Sequence, residues 1–367
     1  MPLNLPFSLA TVVCDGGESP LSLPCTAAGT TGVFYPLAEL GFADHAADLT
    51  TPALHPRVLV GLPLLNRESY REYWLSSTPV HYGVDAQTHA PLHFSTNGTV
   101  LFGHVLVAEA DFPDLRTATA AVYAQLFALL RREGYEYLVR MWNYFPRITA
   151  QQGELNRYQW FCLGRQDALN QQGNFAYAPP AATAIGSTAV DQAYLQVYFI
   201  AAKQAGMQLE NPRQTSAFLY PRQYGPVSPA FSRATVKAWE QGEREAKHVY
   251  ISGTTSIVGH ETLHIGDPLA QLDETLCNLE ALLQYGDDTL GLPIRAVRDL
   301  TQLKVYVHDP AIVPLLQKRL ASYLVGSNAT VLYLHGDVCR DNLMVEIEAI
   351  FTPQTTICDL SRLKSAF

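Results

Sequence analysis

The chain has 367 residues, 48% of them apolar and 16% charged, and 34 acidic against 25 basic residues give a formal charge of −9. This balance excludes a disordered chain, which needs few apolar residues and many charges. Lys and Arg form no cluster able to neutralise a row of phosphates, which excludes a general binder of polynucleotides or anionic membranes.

Length sets a prior of two to three domains. No stretch holds the roughly 18 uninterrupted apolar residues of a membrane-spanning helix, and Met1 to Ala10 lacks the basic start of a secretory signal. A cytoplasmic monomer is expected, bound to neither nucleic acid nor membrane. Cys14, Cys25, Cys162, Cys277, Cys339 and Cys358 lie far apart without a C-x-x-C pair, so free thiols are expected.

Residues 1–60 carry many turn residues and no long period, and the sequence does not place them. Val100 to Ala108 is β-rich. A helix is predicted from Thr117 to Glu133, with Val122, Leu126, Leu129 and Leu130 as its stripe and Gly134 as its cap. Tyr137 to Trp142 reads as a strand, and Val190 to Gln204 as a helix ending before Gly206. Pro221 to Lys247, rich in Pro and Gly and then in charge, reads as a domain boundary. His248 to Gly253 is the next strand. A helix follows from Leu269 to Tyr285, with Leu272, Leu276, Leu279 and Leu283 as its stripe and Gly286 as its cap. Leu303 to His308 is a strand, Ile312 to Leu324 a helix, and Thr330 to Leu334 and Leu343 to Phe351 are the last strands. Strand, helix, cap glycine and strand thus recur at a spacing of about 150 residues. The expected fold class is α+β, with two sheet-plus-helices domains spanning residues 1–235 and 236–367.

Two segments carry candidate chemistry. His260-Glu261-Thr262-Leu263-His264 has the H-E-x-x-H spacing of zinc peptidases, which requires a helix through all five residues. Gly259 before it, and Gly266 and Pro268 after it, argue against that helix. Glu280, a conceivable third ligand, sits beyond the break. His260 and His264 therefore read as loop residues, with a zinc hydrolase as the rival reading. In the second segment, Leu343, Val345, Ile347 and Ala349 share one strand face while Met344, Glu346, Glu348 and Ile350 share the other. Two carboxylates on one face ordinarily mark a solvated edge. There is no Gly-rich phosphate loop and no G-x-S-x-G elbow, and no cofactor or metal is expected.

Seven stretches in a fixed order form a signature. They are Trp142-Asn143-Tyr144-Phe145-Pro146-Arg147, Tyr158-Gln159-Trp160-Phe161-Cys162-Leu163-Gly164-Arg165, Ala184-Ile185-Gly186, Asn211-Pro212-Arg213-Gln214, Tyr220-Pro221-Arg222-Gln223-Tyr224-Gly225-Pro226, Phe231-Ser232-Arg233-Ala234, and the run from Ile251 to His260. In this order they resemble the chorismatase family, which cleaves chorismate and releases pyruvate. The resemblance covers residues 140–350. The stretches Gln271 to Gly286, Lys304 to Pro310 and Val345 to Ile350 are also similar to the small reactive-intermediate deaminases. The two domains would then be deaminase-like (chorismate-mutase-like).

The resemblance implies that Tyr158, Arg165, Tyr220 and Arg233 hold the dianionic substrate, with Tyr158 and Arg165 on a stretch of alternating polarity. Arg147 and Arg213 are reserves. It places the proton-donating acid at Glu346, with Glu348 as fallback, because enol-ether cleavage requires a carboxylic acid of raised pKa. Members that aromatise the ring pair Gly with Cys where hydrolytic members have Ala. Here these positions are Gly253 and Cys339, so the implied products are 3-hydroxybenzoate and pyruvate, with 4-hydroxybenzoate formed by some members. Hydrolysis to 3,4-dihydroxycyclohexa-1,5-diene-carboxylate and pyruvate is the alternative within the family. A non-catalytic deaminase-like binding module is the alternative outside it.

Overall fold

The computed structural model describes residues 8–12, 26–27, 30–31, 35–50, 55–76, 78–86, 90–172, 178–188, 193–241, 244–353 and 355–357. Cys14, Cys25 and Cys358 lie outside them. Among the described residues, three six-stranded sheets organise the structure. The middle sheet takes its central strands from β1 (Val100–Ala108), β2 (Tyr137–Pro146) and β4 (Tyr194–Ala202), with β3 (Ala181–Ser187) at one edge. The C-terminal sheet runs in the order Met207–Leu209, β5 (Ala234–Gln241), β6 (Arg244–Thr254), β9 (Val345–Phe351), β7 (Gln302–Val307) and β8 (Thr330–His335). The third sheet, which the sequence did not reveal, combines Ser8–Val12, Tyr35–Phe42, Ala47–Asp48, Arg57–Val60 and Arg71–Ser76 with the distant Thr355–Ile357.

The middle and C-terminal sheets are each backed by helices, so the α+β expectation holds. Helix α1 (Leu115–Glu133) is capped by the Asp114 carboxylate and ends on Gly134 at φ 71°. Helix α2 (Arg157–Asn170) starts with a capping box between Asn156 and Gln159. Helix α3 (Pro268–Leu290) and helix α4 (Val313–Tyr323) cover the C-terminal sheet.

Three local expectations are corrected. Residues 194–202 form a strand, not a helix. Both faces of β4 are buried between two neighbours, and a fully buried strand reads as an unbroken apolar run. Gly286 does not cap α3, which continues to Gly291. A Cβ at Gly286 would stand 2.4 Å from Leu292 and 2.9 Å from Leu209, so the glycine serves close packing. Of the charged segment, residues 240–241 and 244–247 belong to the paired strands β5 and β6 and are not a turn-rich stretch.

The faces turned away from the helices pack on one shared core, where Trp74, Trp142, Tyr198, Trp239, Tyr250 and Tyr306 meet. Within it lies a buried set of charges drawn from all three sheets. Arg140 donates to Glu348 at 2.6 Å, Lys304 lies 3.1 Å from Glu72 and 3.6 Å from Glu348, and all four side chains are almost fully buried. The Trp142 and Trp74 indoles donate to Glu348 and Glu72 at 2.8 and 2.9 Å. Two cations and two carboxylates balance. Removing one cation strands a buried charge, which typically costs about 3–5 kcal/mol. Lys304→Met should therefore lower the unfolding free energy, read from the urea midpoint and slope, by an amount in that range. An unchanged midpoint would show that the two carboxylates do not need the ammonium.

Candidate active site

Edge strand β3 of the middle sheet is sewn to β6 of the C-terminal sheet. The Ala182 amide donates to Ser252 Oγ at 2.8 Å, and the Gly253 amide donates to Thr183 Oγ1 at 3.1 Å. The second bond exists because β6 carries a bulge. Its register with β9 shifts between Ile251 and Thr254, which frees the Gly253 N–H to reach across the seam. A chamber of about 430 Å³ opens there, continuing inward as a recess of about 40 Å³.

The chamber and its recess together bring seven of the residues singled out from the sequence to one place. Tyr158, Tyr220, Arg233, Gly253, Cys339 and Glu346 line the chamber, and Arg165 lines the recess. Tyr158 and Arg165 stand on helix α2, not on an alternating strand. Their spacing of seven is two helical turns, which puts both on one face. Arg233 donates to the Tyr220 hydroxyl at 2.9 Å and to the Thr215 carbonyl at 2.8 Å. Its buried Nε has no hydrogen-bond partner among the described residues. The reserves fall elsewhere: Arg147 is exposed and lines neither cavity, and Arg213 is held by Glu274 at 2.5 Å and Asn278 at 2.7 Å.

Glu346 and Glu348 do share a face of β9, but the face is buried and the strand lies inside the sheet between β6 and β7. The solvated-edge expectation fails because the middle sheet packs on this face, with Arg140 and Trp142 of β2 bonded to Glu348 and Asn143 and Thr183 beside Glu346. The two carboxyls then diverge. Burial acts to raise Glu348, but Arg140 and Lys304 outweigh it and hold that carboxyl below its ordinary value. Burial, and then the charge of Glu348, push Glu346 up to about 8 against the pull of Arg140 and Arg233. Glu346 is the protonated acid at neutral pH, and Glu348 is its ionised neighbour. Burial, followed by Glu346, pushes the Cys339 thiol up to about 12, so Cys339 is a neutral wall and not a thiolate. Burial also keeps the Tyr158 hydroxyl protonated, as a donor.

The H-E-x-x-H segment is not helical. Ile257–Val258 pairs with Glu261–Thr262 around Gly259 at φ 59°. His260 meets the Tyr224 hydroxyl at 3.2 Å and His264 meets Glu274 at 3.0 Å, so the two imidazoles engage separate partners. The hairpin forms part of the chamber's rim through Glu261 and Thr262. The zinc-hydrolase reading loses the geometry on which it depended. Sequence reasoning missed Asn143 and Thr183 in the recess and Arg340 in the chamber. Asn143 lay inside a quoted motif, whereas Thr183 and Arg340 carried no pattern signal.

A deep chamber holding a neutral carboxylic acid beside buried guanidinium groups defines an enzyme that does acid chemistry on a small anionic molecule. Comparison with known proteins makes this specific. The family model described as chorismatase FkbO/Hyg5-like, N-terminal, matches residues 72–201. A chorismatase of Streptomyces rapamycinicus is 34% identical over 320 residues, covering 85% of this chain and 92% of the relative. A 3-hydroxybenzoate synthase of Streptomyces hygroscopicus is 33% identical over 320 residues, covering 85% and 91%. A chorismatase crystal structure superposes with a TM-score of 0.80 at 29% identity, covering 95% of this chain and 99% of that one. This chain belongs to the chorismatase family.

The raised acid carries a signature in stability. A carboxyl whose folded pKa lies above its unfolded value binds more protons in the native state, so its contribution falls as pH rises. Relative to Glu346→Gln, the native protein should hold its full advantage below about pH 4.5 and lose it as pH rises through about 8. Thermal midpoints of both proteins from pH 5 to pH 9 measure this. Parallel curves would place the Glu346 carboxyl in an ordinary solvated state.

Proposed function

We propose that the chain converts chorismate to 3-hydroxybenzoate and pyruvate. The observation that carries this reading is Glu346, a buried acid with a pKa raised to about 8, at the base of a chamber lined by Tyr158, Tyr220 and Arg233. Chorismate carries two carboxylates, for which guanidinium groups are the matching planar donors. Its enol-ether methylene is protonated at carbon, which calls for a neutral acid that survives at neutral pH.

Arg165, Arg233, Tyr158 and Tyr220 fix the substrate's orientation. Glu346 gives its proton to the methylene carbon, leaving an oxocarbenium centre on the ether side chain. The neighbouring ring hydroxyl oxygen attacks the ether-bearing ring carbon as the C–O bond breaks, and that bonding pair becomes the carbonyl of pyruvate. The hydroxyl proton returns to the Glu346 carboxylate. The resulting arene oxide opens at its far C–O bond and loses a ring proton, so the oxygen stays at the meta position. Substrate atoms account for both products, and no water enters.

Gly253 and Cys339 shape the wall beside the acid. A Cβ at Gly253 would stand 1.8 Å from Glu346 Oε1, closer than any real contact. Glycine here is therefore what lets the acid lie in its place.

Two expectations follow. Glu346→Gln keeps the shape but cannot deliver a proton, and should lower pyruvate release by roughly 10²–10⁴-fold. Unchanged release would remove Glu346 from the mechanism. Incubation with chorismate, a pyruvate assay and product separation provide the readout. Gly253→Ala should reduce total pyruvate formation because the acid must move, whereas Cys339→Ala should preserve pyruvate and change the ratio of aromatic to dihydroxy-cyclohexadiene product. Equal total rates in both variants would contradict the steric coupling at Gly253.

A further inference from the structure

This inference rests on the proposed chorismate chemistry and concerns the substrate's second carboxylate. The enolpyruvyl carboxylate is bonded to the same carbon as the methylene that meets Glu346. It must therefore lie near the acid, where Arg165 opens into the recess and the Arg233 charge acts on Glu346. The ring carboxylate sits meta to the ether, two ring carbons from it, on the part of the substrate remote from the methylene. The recess of about 40 Å³ cannot hold a six-membered ring, so the ring and its carboxylate occupy the outer chamber.

One cation lines that outer chamber without a role assigned so far. Arg340 lies with its guanidinium carbon 4.0 Å from the Tyr224 ring centre, stacked on the aromatic face. Its Nη1 donates to the His260 carbonyl at 3.0 Å and to Thr262 Oγ1 at 3.1 Å. The plane and direction of the group are thus set before any ligand arrives. Nη2 and Nε hydrogen-bond to none of the described residues, and Arg340 forms no ion pair among them. A guanidinium stacked, anchored at one nitrogen and open along one edge suits bidentate capture of a carboxylate. Arg165 is absent from the outer chamber's lining, and Arg340 is absent from that of the recess.

We propose that Arg340 binds the ring carboxylate of the substrate through its open edge, with the Tyr224 ring and the His260 hairpin holding it in position. The substrate then spans the chamber between two cationic ends, and the distance between them fixes where the methylene falls relative to Glu346.

The product 3-hydroxybenzoate and its neutral isostere 3-hydroxybenzamide test this by titration calorimetry on the full chain. A charged hydrogen bond contributes about 1.5–3 kcal/mol, so native protein should prefer the benzoate by roughly ten-fold or more. Arg340→Gln should cut that preference to within about two-fold while changing benzamide affinity little, and Arg340→Lys should give an intermediate preference. A purely structural rim arginine would weaken both ligands equally and leave their ratio unchanged. That result, in either variant, would overturn the assignment. Native protein that binds 3-hydroxybenzoate but releases no pyruvate from chorismate would overturn the proposed function instead, because the ratio alone decides Arg340.

Discussion

Everything else in this molecule depends on four charges buried away from the surface. Glu72, Lys304, Glu348 and Arg140 come from three different sheets, and each needs a partner from another sheet or strand. An apolar core could hold the sheets together at many small offsets. Paired charges in a dry interior permit very few, because a displaced partner leaves an uncompensated ion. The same set reaches the chemistry. Glu348 stays ionised because Arg140 and Lys304 hold it so, and its charge helps keep Glu346 protonated two residues along the strand. Scaffold and acid share one electrostatic system.

The seam between β3 and β6 turns that system into a site. A sheet edge normally presents unpaired amides that invite other strands. Here the edge of the middle sheet is occupied by side-chain hydroxyls of the neighbouring sheet, at Ser252 and Thr235. The bulge at Gly253 interrupts the ladder at the point where Glu346 needs room, so one local irregularity both bonds the seam and clears space for the carboxyl. Chambers between elements of different sheets gather residues from distant parts of the chain. That is how Tyr158, Arg233 and Cys339 come to face one another.

Much of this was legible in the sequence, and the failures have physical causes. The amphipathic helices α1, α3 and α4 were visible because one face of each meets water, which imprints a period on the sequence. Strand β4 was misread because neither face meets water, so no period survives. The carboxylates of β9 were placed on one face correctly, but whether that face was wet depended on how the middle sheet packs against it through Arg140 and Trp142, a long-range contact with no periodic signal. Tyr158 and Arg165 were found by motif even though their local structure was misassigned, since a spacing of seven suits one helical face as well as it fits the motif. Arg340 had no such help. Its value lies in the Tyr224 ring beneath it and the His260 hairpin beside it, neither of which is adjacent in the chain.

The pairing of Ser8–Val12 with Thr355–Ile357 has a consequence for how the protein is made. A ribosome delivers the chain from one end, and domains generally fold as they emerge. The sheet that contains Ser8–Val12 cannot be completed until its outer strand, Thr355–Ile357, has been made. Until Lys304 is synthesised, Glu72 also has no ammonium beside it. The early part of the nascent chain must therefore wait with an open strand edge, free to pair with other chains while the rest is being made.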